Sequence, residues 1–175
     1  MASSWSERAT TMTTTTSPLR IALIGTGFMG RMHTQAWRTA PHFFDLPLAP
    51  QPVLLVGRRP DATAEAAARW EWPEHGVDWR EAVERDDIDA IDICTPGDTH
   101  AEIALAALAA GKHVLCEKPL ANSVTEAQEM TDAAAAAGPT RPEAPRDAPA
   151  ARGGAVGTSQ SGVVAMCGFS YRRTP

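Results

Sequence analysis

Residues 19–30 read L-R-I-A-L-I-G-T-G-F-M-G, and this stretch decides the fold. An apolar run typical of a buried strand leads directly into Gly25, Gly27 and Gly30, and a helix-compatible segment follows. A strand, a glycine turn and a helix in that order are the pattern of a dinucleotide-binding site. The first glycine permits the turn, the second lets a diphosphate approach the main chain, and the third lets the helix pack on the strand. Free N–H groups at the helix N-terminus favour the phosphates.

Strands and helices alternate along the rest of the chain, which predicts a parallel sheet covered by helices on both faces. The predicted strands are 21–24, 53–56, 90–94, 113–116 and 163–168. The predicted helices are 28–40, 61–70, 79–85, 98–110 and 123–137. We expect Asp98 to cap the fourth helix, and Ser123 with Glu126 to form a capping box on the fifth.

The first helix has the most specific local expectations. Its apolar residues at helical spacing, Met29, Met32 and Ala36, are expected to face the sheet. Pro41 is expected to end the helix, because proline lacks the N–H that the helix needs. Residues 42–52, rich in proline and aromatic side chains, are then expected to form a surface loop.

Two segments depart from the alternating pattern. Residues 1–18 carry a threonine run and lack the apolar core of a secretion signal, so we expect a disordered leader. Residues 138–162 hold four prolines among alanine, arginine and glycine, and we expect a flexible insertion. Residues 19–175 otherwise read as one dinucleotide-binding domain.

The bulk composition narrows the function. A chain of 175 residues is long enough for one domain with a sizeable core. Its net charge of -5 at pH 7 argues against a nucleic-acid surface, and no apolar run approaches the roughly 20 residues that cross a bilayer. Cys94, Cys116 and Cys167 lie far apart without metal-like spacing. We therefore expect reduced cysteines, a cytoplasmic protein, and neither a metal site nor a membrane partner.

Glu117, Lys118 and Pro119 follow a predicted strand, so they are expected at the carboxyl edge of the sheet, where ligands bind in open α/β folds. A lysine at that edge can deliver or accept a proton at a substrate hydroxyl or carbonyl. The alternative is a solvated lysine beside a turn proline, and spacing alone leaves both open. His100, at the start of its helix, is favoured as a packing or hydrogen-bonding residue over a catalytic one.

The end of the second strand bears on the choice of cofactor. An NAD site usually places an acidic side chain there for the ribose 2′-hydroxyl, whereas arginine accommodates the 2′-phosphate of NADP. Here the position is held by Gly57, Arg58 and Arg59, and the planar guanidinium favours NADP. The alternative is that both arginines face solvent and that Asp61 reaches the ribose.

Four motifs in this order resemble the N-terminal half of the glucose-fructose oxidoreductase / inositol dehydrogenase (Gfo/Idh/MocA) family. They are the glycine turn at 25–30, D-I-C-T-P-G-D-T-H at 92–100, A-G-K-H-V-L-C-E-K-P-L-A at 110–121, and G-F-S-Y-R-R at 168–173. The resemblance covers roughly residues 19–137 and 163–175 and implies a Rossmann-type, doubly wound α/β domain. It also implies NAD(P)-dependent oxidation or reduction at the CH–OH group of a sugar or cyclitol.

The resemblance also assigns roles to residues. The residues that it places at the diphosphate are Gly25, Gly27, Phe28 and Met29, and Gly30 completes the cofactor-binding turn. The residues that it places on the nicotinamide side of the site are Thr95, Pro96 and His100. It places Glu117 and Lys118 at the nicotinamide ribose and the reacting carbon, with Lys118 in substrate binding and proton transfer.

This sequence departs from the family pattern in one respect that matters for function. The family's catalytic Asp/His pair, its substrate wall and its usual oligomer surface lie in a second, C-terminal α/β domain that this sequence does not contain. The resemblance therefore implies a truncated member, one that would form a homo-oligomer if the second domain were present. Two functions stay open: an oxidoreductase represented mainly by its nucleotide-binding domain, and a non-catalytic dinucleotide-binding module or inactive fragment.

Overall fold

A parallel sheet of six strands organises residues 18–138 and 162–168, the part of the chain that this computed structural model describes. The strands are β1 (Leu19–Ile24), β2 (Pro50–Val56), β3 (Glu74–Gly76), β4 (Ala90–Ile93), β5 (His113–Cys116) and β6 (Ala165–Cys167). The helices are α1 (Phe28–Phe43), α2 (Pro60–Trp70), α3 (Trp79–Glu84), α4 (His100–Ala109) and α5 (Val124–Ala137). A single 3₁₀ turn, Gly97–Thr99, precedes α4.

The strand order is β3-β2-β1-β4-β5-β6, and every neighbouring pair is parallel. The chain builds outward from β1 to β3, then returns to the other side of β1 with β4. Ligands bind in open α/β sheets at the carboxyl ends of the strands where the order reverses, here between β1 and β4. This topology confirms the predicted doubly wound, Rossmann-type fold.

Alternate residues of β1 supply two separate cores, as the two-residue repeat of a strand requires. Ala22 and Ile24 face α3, α4 and α5, whereas Ile21 and Leu23 face α1 and α2. We call the first the aliphatic face, whose buried strand and helix residues include Leu54, Val56, Ile91, Ile93, Ile103 and Leu108. We call the second the α1 face, whose buried apolar residues are Ile21, Leu23, Leu55, Ala67, Trp72, Ala90 and Cys94.

Helix α1 runs past Pro41 to Phe43, so the prediction that Pro41 ends it was wrong. Pro41 lies in the last turn of α1, where its missing N–H removes one hydrogen bond. The helix tolerates this loss because it ends two residues later, at Phe43. The N–H of Phe44 donates to the carbonyl of Ala40 at 3.0 Å and closes the helix. The loop predicted over 42–52 is correspondingly shorter.

Strand β2 begins at Pro50, three residues before its predicted start at Val53. Its neighbour β3 pairs only with Leu54–Val56, so the proline-containing half of β2 has an open side where no ladder hydrogen bond is needed. A register shift against β1 falls between Ile21 and Ala22. Proline in a strand is tolerated in both settings.

The inner side of α1 differs from the prediction. Met29 packs against the α1 face, but Met32 is 38% exposed and Ala36 is exposed. The residues that α1 buries completely are Gly30 and Thr34. The prediction followed apolar spacing, whereas this helix covers a polar strand residue and therefore turns polar side chains inward.

The helix termini divide between confirmed and corrected expectations. Ser123 and Glu126 form the predicted capping box on α5. Asp98 does not cap α4, since it lies in the 3₁₀ turn and Thr99 occupies the cap position.

In the described part of the chain, no helix is long and apolar enough to cross a bilayer. The leader predicted over 1–18 and the insertion predicted over 138–162 lie, apart from their boundary residues, outside the described residues.

Candidate dinucleotide-binding site

A cleft of about 810 Å³ opens at the carboxyl ends of β1, β2 and β4. The sequence-predicted site residues that line it are Gly25, Gly27, Phe28, Met29, Arg58, Arg59, Thr95 and Pro96. The cleft therefore lies at the point where the strand order reverses, as expected for a doubly wound sheet. Gly30, His100, Glu117 and Lys118 lie around it rather than along its wall.

The three glycines of the turn have different structural roles. Gly25 has φ +121°, and a Cβ on it would lie 2.5 Å from the carbonyl oxygen of Cys94. A Cβ on Gly30 would overlap the carbonyl oxygen of Gly25, so Gly30 sets how closely α1 packs on β1. A Cβ on Gly27 would meet no described heavy atom within 4 Å, so this backbone faces the open cleft. Gly27 and the first N–H groups of α1 thus form an accessible, electropositive surface.

The end of β2 supplies the basic side of the cleft. Arg58 and Arg59 are both exposed and line it, and Arg59 is the N-cap residue of α2. Asp61 is exposed in the first turn of α2, outside the cleft lining. Val77 and Trp79, which sequence reasoning did not select, add an apolar wall beside these arginines.

His100 connects the turns that follow β4 and β5. Its side chain is 1% exposed, with Nδ1 2.8 Å from the carbonyl oxygen of Pro119 and Nε2 2.9 Å from that of Thr95. The expectation that His100 packs and hydrogen-bonds at the start of its helix is confirmed. Since Thr95 lines the cleft, His100 fixes the distance between the cleft wall and the turn after β5.

Glu117 and Lys118 form that turn. The N–H of Glu117 donates to the carbonyl of Ile93 at 2.9 Å, which extends the β4–β5 pairing by one residue. The Glu117 side chain is buried, and its Oε2 accepts the N–H of Lys118 at 3.1 Å. The Lys118 side chain is exposed, and the Lys118–Pro119 peptide is cis.

A buried polar chain lies beneath α1, and the sequence analysis did not identify it. Asp92 of β4 is 1% exposed and accepts the indole N–H of Trp37 at 2.7 Å. Nδ1 of His33 lies 2.9 Å from Oδ1 of Asp92, and Nε2 of His33 lies 3.0 Å from Oε1 of Glu117. We call this the Asp92–His33–Glu117 chain. It connects the interior of the α1 face to the turn that carries Lys118.

The surroundings of His33 favour its protonated form. The hydrogen bond to Asp92 is the main cause that raises the pKa of His33, and the charges of Asp92 and Glu117 raise it further, while burial opposes them. Because both nitrogens of an imidazolium are donors, protonated His33 satisfies both carboxylates at once. One sequence signal pointed here: a carboxylate in the buried strand A-I-D-I-C requires a partner.

Cys94 completes a possible three-ligand group with His33 and Asp92, whose donor atoms lie within 4.8 Å of one another. A thiolate is the metal-binding form of cysteine, yet burial and the neighbouring Asp92 raise the pKa of this thiol well above its usual value. His33 and Asp92 are also already bonded to each other. The group therefore reads as a hydrogen-bonded cluster and not as a metal centre.

A family comparison matches the same part of the chain. The model of an oxidoreductase family, GFO_IDH_MocA, described as an NAD-binding Rossmann fold, matches residues 19–140. The match includes the glycine turn, the arginines after β2 and the turn that carries Lys118.

Individual relatives agree with the family model. Levoglucosan dehydrogenase of Pseudarthrobacter phenanthrenivorans is 37% identical over 90% of this chain and 34% of its own length. Inositol 2-dehydrogenase of Paracoccus denitrificans is 40% identical over 69% of this chain and 34% of its own. A solved levoglucosan dehydrogenase in complex with NADH and L-sorbose is 43% identical over 67% of this chain and 32% of its own, with a TM-score of 0.65. The chain spans about a third of the length of these relatives.

Proposed function

The chain belongs to the oxidoreductase family GFO_IDH_MocA, matching its NAD-binding Rossmann fold, and from this premise we propose that its cleft binds NAD(P) for chemistry at the CH–OH group of a sugar or cyclitol. Relatives named for levoglucosan and for inositol support this substrate class. The single observation that carries the proposal is the open backbone of Gly27 at the start of α1.

The diphosphate would lie against the glycine turn. Gly27 leaves the space that a side chain would fill, and the N-terminus of α1 directs unpaired N–H groups toward that space. Exposed Phe28 and half-buried Met29 follow Gly27 along the same wall. The proposal requires no movement of the backbone, because the cleft is already formed.

The end of β2 supports a preference for NADP. Arg58 and Arg59 are exposed in the cleft, where each guanidinium can take up a 2′-phosphate in a forked hydrogen bond. Val77 and Trp79 offer an apolar surface beside them on which an adenine ring can stack. Asp61, the alternative ribose ligand, lies outside the cleft lining.

Lys118 is the proposed proton carrier. When bound, the nicotinamide supplies or accepts the hydride. Lys118 lies at the carboxyl end of β5, on a turn whose backbone is fixed by Glu117 and by the His100 contacts. Its exposed side-chain nitrogen can bind a substrate hydroxyl; as an amine it would accept the hydroxyl proton during oxidation, and as an ammonium it would return that proton during reduction. Thr95, Pro96 and the turn at 117–118 would then border the nicotinamide.

The alternative function is a non-catalytic module that binds the dinucleotide without turning over substrate. This function needs only the cleft at the carboxyl ends of β1, β2 and β4, which the described residues form by themselves. For either function we propose a cytoplasmic protein, which is supported by the free, buried thiols of Cys94 and Cys116.

Binding is tested on the 175-residue chain with NADH and NADPH, by fluorescence titration. Gly27→Ala should preserve the melting temperature, because its Cβ meets open space, yet weaken binding of both dinucleotides by about tenfold or more. Arg58→Ala and Arg59→Ala should weaken NADPH binding by about tenfold and leave NADH binding nearly unchanged. Arg69→Ala, an exposed arginine of α2 outside this cleft, is the matched control.

Turnover is tested separately with levoglucosan and inositol as substrates. Oxidation by the wild-type chain that Lys118→Ala abolishes supports the enzyme. Dinucleotide binding without turnover supports the module. A folded chain that binds neither dinucleotide at millimolar concentration refutes both functions.

A further inference from the structure

The Asp92–His33–Glu117 chain ends at the turn that carries Lys118. Cofactor binding in the cleft does not explain why these three side chains are linked. We propose that His33 is a positioning residue whose imidazole bridges Asp92 to Glu117 and thereby holds the Glu117–Lys118 turn in one conformation. The inference deepens the proposed function. It rests on the proposed function only in the second experiment below, which measures dinucleotide binding.

Every oxygen of Glu117 has a specific contact. Oε1 faces Nε2 of His33, and Oε2 accepts the N–H of Lys118. Gly168, directly after β6, lies close to the same carboxylate, since a Cβ there would lie 2.9 Å from Oε1. The direction of the Glu117 side chain therefore determines the Lys118 amide, and His33 determines the direction of the side chain.

The far end of the chain is anchored independently. Asp92 also accepts the indole N–H of Trp37 and lies 3.6 Å from Sγ of Cys94. These contacts come from α1 and from the end of β4, so Asp92 stays in place whether or not Glu117 is bound. His33 is the described residue whose side chain bonds both carboxylates.

The bridge depends on the proton state of His33. The titratable groups that face its ring are Asp92 of β4, Cys94 directly after β4, and Glu117 directly after β5. Imidazolium donates to both carboxylates, whereas neutral imidazole donates to one. Loss of the proton therefore releases Asp92 or Glu117, and Glu117 has fewer other contacts.

Two conservative variants separate the two halves of the bridge. An asparagine amide reaches the position of Nδ1, so His33→Asn keeps the contact to Asp92 and loses the contact to Glu117. A glutamine amide reaches the position of Nε2, so His33→Gln keeps the contact to Glu117 and loses the contact to Asp92. A residue that only fills space would make the two variants equivalent at Lys118.

The first measurement is hydrogen exchange of the Lys118 amide, which needs no ligand. His33→Asn should speed this exchange by about tenfold relative to wild type, while His33→Gln should stay within about threefold. In wild type, protection of this amide should fall as pH rises through the raised pKa of His33 and stay flat in His33→Gln. Equal exchange in both variants, or a flat wild-type profile, overturns the proposal.

Gly168→Ala is the independent variant if His33→Asn does not fold. Its Cβ presses on Oε1 of Glu117 while His33 stays intact, so it too should speed exchange at Lys118. Unchanged exchange in a folded Gly168→Ala chain contradicts the role given to Glu117.

The second measurement is NADH and NADPH affinity, where His33→Asn should weaken binding by about tenfold and His33→Gln should bind nearly as wild type. If wild type binds no dinucleotide, the proposed function fails, and hydrogen exchange still decides the role of His33. If wild type binds and the two variants bind equally, the role of His33 fails and the proposed function stands.

Discussion

The two faces of the sheet are built from different chemistry. The aliphatic face, against α3, α4 and α5, is filled by side chains such as Ile91, Ile103 and Leu108. The α1 face buries Asp92 and Thr34 and places His33 between two carboxylates. Adjacent residues of β4 lie on opposite faces of the sheet: Ile91 packs in the aliphatic face, and Asp92 contacts His33 on the α1 face.

The difference separates stability from positioning. Apolar burial is non-directional, so the aliphatic face accepts many sequences that conserve volume. A buried carboxylate is costly unless it is paired and hydrogen-bonded, so Asp92 restricts its neighbours to particular donors at particular places. In the described residues, no buried side-chain polar atom lacks a hydrogen-bond partner. The α1 face is therefore the more specific of the two, and it is the face that reaches the Lys118 turn.

The largest effect is expected from Asp92→Ala. Removing the carboxylate leaves the indole N–H of Trp37 and one nitrogen of His33, both partly buried, without the partner that they have in the native structure. Breaking a buried pair from one side costs about 3–5 kcal/mol in the free energy of unfolding, measured by urea denaturation. Asp92→Asn, which keeps the shape and an acceptor oxygen, is the control and should cost less. If Asp92→Ala lowers the free energy of unfolding by less than about 1 kcal/mol, the α1 face is no more specific than the aliphatic face.

The next effect is the pH dependence of stability. The folded-state pKa of His33 is raised, so the native state binds a proton that the unfolded chain releases once pH exceeds about 6.5. The stabilisation is complete below that pH and is lost as pH rises through the folded pKa, with a slope of at most about 1.4 kcal/mol per pH unit. Urea denaturation across pH 6–9 should show this slope in wild type and lose it in His33→Gln. The carboxyl groups with lowered pKa are Asp89, Glu74 and Asp87, and because they titrate at acid pH they leave this window clear.

The same contrast explains what the sequence could predict. The glycine turn, the alternation of strands and helices and the capping box of α5 follow from local rules that residues a few positions apart satisfy. The inward side of α1 does not, because apolar spacing selected Met32 and Ala36 while the helix turns His33 and Thr34 inward. The partner that selects His33 is Asp92, 59 residues away, and only the folded sheet brings them together. Strand β3 was missed because three residues carry too little pattern.

A smaller effect is expected on the aliphatic face from Ile91→Val. Ile91 is fully buried beside Asp92, so the pair compares the two faces at one point of β4. Removing one methylene should cost about 1 kcal/mol, because the cavity is small and its neighbours are flexible aliphatic chains. The cost should be the same at pH 6 and pH 8, unlike that of changes at His33. A cost near that of Asp92→Ala would show that the aliphatic face is equally specific.

The smallest effect is expected where the aliphatic face has its own polar contact. The guanidinium of Arg80 in α3 pairs with the carboxylate of Glu102 in α4, and both side chains are more than half exposed. Because water competes for both groups, Glu102→Gln should change the free energy of unfolding by less than about 0.5 kcal/mol, and 1 M salt should remove that difference. Thermal melts at low and high salt measure it, with Glu129→Gln on the exposed side of α5 as the control. A loss in the free energy of unfolding that persists in 1 M salt would mean that directed polar contacts also hold α3 and α4 together. Only in that case would the aliphatic face depend on specific polar contacts as the α1 face does.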